Sequence, residues 1–71
     1  MSERLRALIV YCREEKDIDK KVEALQRVNS MLPFSKRLRM PSLFTSDYIH
    51  RALDLIEETI AGPARGNAFA M

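Results

Sequence analysis

Along residues 45–62, TSDYIHRALDLIEETIAG, apolar side chains recur at helical spacing. Ile49, Ala52, Leu53, Ile56 and Ile60 follow an i, i+3, i+4, i+7 pattern, which places them on one face of a helix. Arg51, Asp54 and Glu58 fall on the opposite side. Thr45 or Ser46 offers a hydroxyl to the first free backbone N–H groups, and Asp47 sets a negative charge at the positive end of the helix dipole. Gly62 and Pro63 supply the expected stop. Tyr48, Leu55 and Thr59 flank the stripe and widen the apolar arc to roughly 160°, beyond the ~100° that packing on one neighbour requires. The pattern therefore predicts a helix over residues 46–61 with two surfaces. Ile49, Leu53, Ile56 and Ile60 would serve the chain's own core, and Tyr48, Leu55 and Thr59 a second molecule.

Residues 1–32 hold no glycine or proline and are dense in helix formers. Leu8, Tyr11, Ile18, Val22, Leu25 and Leu32 keep a seven-residue repeat, with Glu15 and Asn29 in two places of the same seam. A helix over residues 3–32 is expected on this pattern, either continuous or broken near residues 13–16. The apolar run Ala7–Cys12 also suits a short buried strand. In that reading a second element starts with Asp17 as N-cap and runs over residues 18–32. Its inner stripe is Ile18, Val22, Leu25 and Leu32, with Lys20, Lys21, Glu23 and Arg27 largely outside.

The connector, residues 33–44 (PFSKRLRMPSLF), is too apolar for a solvated linker. Phe34, Met40 and Phe44 are expected to dock on the helices or on a partner. The expected fold class is mainly α, a small helical hairpin in which two such chains would pair into a four-helix arrangement. Residues 1–62 form the single domain and residues 63–71 a flexible tail, with Phe69 and Met71 available to clip an apolar groove.

Composition sharpens the expectation of pairing. Seventy-one residues with 46% hydrophobic content exceed what so short a chain buries alone. Below roughly 70–80 residues a single core rarely supplies more than ~3–5 kcal/mol. One cysteine excludes an intrachain disulfide, and one histidine without a Cys/His cluster offers no zinc pattern. The lone thiol fits a reducing, cytoplasmic setting, and no run is long enough to span a membrane. No cofactor and no small-molecule substrate are expected.

Catalytic chemistry finds little support. His50 and Asp54 read as an i, i+4 pair, Cys12 as a buried inert thiol, and Glu14, Glu15, Asp17 and Asp19 as a solvated stretch of helix. The expected function is a non-enzymatic adaptor or regulator that binds a larger protein, as a homodimer, through Tyr48, Leu55, Thr59, Phe34, Met40 and Phe44. A net charge of +2 is too mild to imply nucleic acid. The alternative rests on Lys36, Arg37 and Arg39, candidate phosphate contacts flanked by Phe34 and Phe44. SKRLRMP followed by TSDYIHRAL is similar to the strand and second helix of ribbon-helix-helix repressors. That resemblance implies a dimeric DNA-binding regulator whose strand pair enters the major groove, with Arg37 and Arg39 as the base readers. The family sets a full helix between these pieces, where here only Ser42 to Phe44 intervene.

Overall fold

A computed structural model describes the backbone of residues 3–70 and the side chains of residues 3–60. Three helices follow one another: α1 (Glu3–Glu14), α2 (Ile18–Met31) and α3 (Ser46–Ala70), with one 3-10 turn, Phe34–Lys36, in the connector. The hairpin expected of two main helices is thus a three-helix arrangement. The strand reading of the Ala7–Cys12 run falls, because that run lies inside α1.

The break between α1 and α2 is made by acidic side chains turned back on their own backbone. Glu15 N–H donates the last helical bond of α1 to the Tyr11 carbonyl, 2.9 Å. The Glu15 carboxylate then accepts the N–H groups of Lys16 and Asp17 at 3.1 and 3.0 Å. Asp17 takes an extended conformation as N-cap of α2 and accepts the Asp19 N–H at 2.9 Å. Side chains that hydrogen-bond locally offer the backbone an alternative to the helix ladder. This turn needs neither glycine nor proline because carboxylates supply the acceptors. The acidic cluster, read as a solvated stretch of helix, is in part the junction between two helices.

Each helix contributes a stripe to one core. Leu5, Ile9 and Cys12 come from α1, Ala24, Leu25 and Val28 from α2 with Leu32 at its end, and Ile49, Ala52, Leu53 and Ile56 from α3. Ile9, Leu25, Val28, Ile49, Leu53 and Ile56 are the largest apolar side chains fully enclosed. Truncating one of them to alanine removes about 2–5 kcal/mol, most of what a chain this short has in hand. The α3 stripe matches the spacing read from the sequence. The seven-residue seam holds only in part: Leu25 and Leu32 are buried and Leu8 and Val22 pack against the core, but Tyr11 and Ile18 are exposed, and Ala24 and Val28 are buried beside it. A helix break resets the rotational phase, so a repeat counted across residues 15–17 joins two unrelated faces.

Lys21 also belongs to the interior, with 6% of its surface exposed, which corrects its placement outside. It occupies the position on α2 that Ile49 occupies on α3, the first of an i, i+3, i+4, i+7 series. Its ammonium donates to the carbonyls of Cys12 (2.7 Å) and Arg13 (2.9 Å) and lies 3.2 Å from His50 Nε2. The last carbonyls of α1 have no partner within their own helix, and the negative end of the α1 dipole faces a cation there. Lys21 therefore closes α1 and touches α3 in one step. Arg37 plays the corresponding part for α2, donating to the carbonyls of Leu32 (3.1 Å) and Ser30 (2.9 Å).

α3 begins on Thr45, whose hydroxyl accepts the Tyr48 N–H at 3.1 Å. It does not stop at Gly62 but continues to Ala70, and among the described residues no glycine has a positive φ. Glycine and proline disfavour a helix interior by about 1 and 3 kcal/mol without forbidding it, and the proline φ is itself helical. The expectations for a flexible tail and for Phe69 and Met71 lie outside the described side chains.

Lys21→Met keeps the apolar stem and removes the ammonium, leaving the α1 carbonyls without a charged donor. We expect a loss of about 2–3 kcal/mol, read as a lower urea midpoint at an unchanged slope. An unchanged midpoint would show that water satisfies the end of α1.

Candidate protein-binding groove

On α1, positions 4, 7, 8 and 11 form a second stripe, displaced by about one residue from the core stripe. On α2, positions 20, 23, 24, 27 and 31 do the same. One residue is about 100° of helix rotation, so both second stripes run along the flank of the core. They meet in a groove of about 490 Å³ lined by Arg4, Ala7, Leu8, Tyr11, Arg27 and Met31. A smaller hollow of about 160 Å³ continues it past Lys20 and Glu23. The floor is apolar: Leu8 is half-buried, while Tyr11 and Met31 remain 46% and 40% exposed.

Two arginines stand on this floor, one from each helix. Among the described residues neither Arg4 nor Arg27 has an ion-pair partner; the guanidinium of Arg13 is the one engaged, reaching Asp54 at 2.8 Å and also Glu57. The Tyr11 hydroxyl is held by Glu15, and this hydrogen bond to a carboxylate raises the phenol above its usual range. The Glu15 carboxyl is held below the usual carboxylate range, chiefly by the Asp17 N–H and then by the Tyr11 hydroxyl. Tyr11 thus presents its ring to the groove with its hydroxyl toward Glu15.

The residues expected to meet a partner divide in two. Met40, Phe44 and Tyr48 pack against the chain's own core. Phe44 and Tyr48 meet edge to face with centroids 5.9 Å apart, and the Tyr48 hydroxyl donates to the Arg39 carbonyl at 3.0 Å. These contacts, together with Asn29, hold the connector down. Asn29 donates to the Leu38 carbonyl (3.0 Å) and accepts the Leu38 N–H (2.8 Å), as a neighbouring strand would. Thr59 is half-buried. Phe34 and Leu55 are left outward, 84% and 49% exposed.

The basic connector segment is similarly divided. Arg37 caps α2 and stacks over the Phe34 ring at 5.3 Å while remaining exposed. Lys36 ends the 3-10 turn and Arg39 is exposed. The 36–40 segment forms no strand, unlike the ribbon segment of the repressors it resembles.

Potential catalytic groups are engaged structurally. The Cys12 thiol is fully buried and donates to the Lys21 carbonyl at 3.3 Å; burial pushes its pKa up and disfavours a thiolate. His50 meets Lys21 rather than Asp54, which instead holds Arg13. Among the described residues no three His, Cys, Asp or Glu converge as metal ligands, and no helix is long and apolar enough to cross a membrane. No protein-family model, curated protein or solved structure matches this chain. The groove is therefore read from its own geometry.

Arg4, Ala7, Arg27 and Met31 escape a sequence reading because each looks like ordinary helix surface. Their common signal is that Leu8 and Tyr11 stand apart from Leu5, Ile9 and Cys12 once α1 is taken alone.

The depressed carboxyl of Glu15 makes a signed prediction. A carboxylate whose pKa is lowered by folding stabilises the fold above its unfolded value and loses that contribution as pH falls through the lowered one. The urea midpoint should fall on acidification below the usual carboxylate range, and Glu15→Gln should flatten that acid limb. An identical limb in the variant would remove Glu15 from the junction.

Proposed function

We propose that this protein is a small, non-enzymatic helical adaptor or regulator that binds a larger protein through the α1–α2 groove. The observation that carries the reading is the apolar floor of Leu8, Tyr11 and Met31, left open beside a core already filled by three helices. Single exposed apolar side chains are ordinary on any surface; a contiguous row along two helices is the pattern of a docking site. The lone thiol is unpaired, which suits a reducing compartment such as the cytoplasm.

Homodimerisation is a second reading, favoured by the half-exposed Leu55 on the outer side of α3. Pairing along α3 would bring two three-helix units together there. Leu55 has Asp54, Glu58 and Arg51 as exposed neighbours, so its apolar surface is narrower than the groove floor. DNA binding would rest on Lys36, Arg37 and Arg39, all exposed in the connector.

A photo-crosslinking amino acid placed at position 11, and separately at position 58, tests the main reading in the source cells. Crosslinks to a larger protein from position 11 and none from position 58 are expected. Crosslinks from both or from neither overturn it. Sedimentation of the purified chain at tens of micromolar decides the second reading. Self-association through α3 requires a dimer mass that Leu55→Asp converts to monomer.

A further inference from the structure

We infer that the groove takes an amphipathic partner helix whose apolar stripe is flanked by acidic residues. The inference rests on the groove being a protein-binding site and adds the chemistry of its occupant. The lining stripes of α1 and α2 extend about 10–16 Å at 1.5 Å per residue, the length of two to three turns. A channel between two helices accepts a third by seating side chains spaced i, i+3, i+4 and i+7 between their ridges. Ala7, small and exposed on α1, leaves room for such side chains.

Charge selects among helices of this kind. Arg4 and Arg27 come from opposite walls of the main groove, both exposed and without an ion pair among the described residues. None of the residues lining the main groove is acidic; Glu15 and Glu23 lie at its Tyr11 end, where the shallower continuation sets Lys20 against Glu23. A guanidinium on each wall matches a carboxylate on each flank of the incoming helix, in the forked geometry that arginine forms with carboxylates. An apolar floor of this kind offers phosphate backbones nothing beyond those two contacts, so a helix suits the groove better than a nucleic acid.

Three labelled helical peptides with the same leucine stripe and with Glu, Gln or Lys flanks are titrated with the full chain by fluorescence anisotropy. The Glu-flanked peptide should bind on the order of tenfold more tightly than the Lys-flanked one, with the preference shrinking as salt rises. Arg4→Glu with Arg27→Glu should reverse the order; both side chains are exposed, and circular dichroism verifies that the fold is kept. Ala7→Asp, also an exposed position, should weaken every peptide that seats in the groove. Equal or tighter binding of the Gln or Lys peptide, still sensitive to Ala7→Asp, overturns the acidic partner and leaves the groove standing. Failure of all three peptides overturns both. Duplex DNA that displaces the Glu peptide at physiological salt, or a dimer mass lost in Ala7→Asp, assigns the groove to nucleic acid or to a second copy and overturns the inference.

Discussion

A lysine ammonium taken out of water must be given acceptors, and the end of a helix has carbonyls that need donors. In this chain the two needs meet at Lys21, where the carbonyls of Cys12 and Arg13 receive the ammonium within 2.9 Å and His50 stands beside it. The contact orients α1 against α2 and brings α3 alongside. It also explains how a sharp helix–helix junction forms without glycine: residues 15–17 need only turn, because the α1 carbonyls are satisfied from across the interface. The same device recurs at the end of α2, where Arg37 reaches back to Ser30 and Leu32. Both helix ends are closed by a cation from later in the chain, in keeping with the negative charge that accumulates there.

Arg13 extends this arrangement to the surface. Its carbonyl is held by Lys21 and its guanidinium by Asp54 and Glu57 of α3. Exposed ion pairs contribute little individually, about 0.2–1 kcal/mol. Here the fork joins elements that Lys21 has already placed, so its main effect is on the orientation of α3.

The groove follows from the same geometry. With one core stripe on each helix turned inward, the adjacent stripe of α1 and that of α2 lie side by side along the flank. A third helix covers the core and leaves that flank open. Tyr11 and Met31 are exposed and Leu8 is only half-buried because the chain has no further element to cover them among its described residues, and Arg4 and Arg27 add positive charge to the opening. Much of the connector, by contrast, is consumed by the fold: Asn29, Tyr48 and Phe44 fasten it, and Arg37 becomes a cap.

The sequence by itself determined the helical class, the inward stripe of α3 and the burial of Cys12, because each depends on residues within a turn or two of one another. It left open whether residues 3–32 were one helix, it misplaced Lys21 on the surface, and it missed the bonds that Asn29 and Arg37 make to backbone groups. Their roles depend on carbonyls and amides brought near by folding, and nothing in a lysine's local context says that helix-end carbonyls will lie above it. The Gly62-Pro63 stop failed for a related reason: local penalties of a few kcal/mol do not by themselves end a helix. Only the tertiary structure decided which of α1's apolar residues were core and which were groove, since a helix apolar on several sides carries no mark of the side its neighbours will cover.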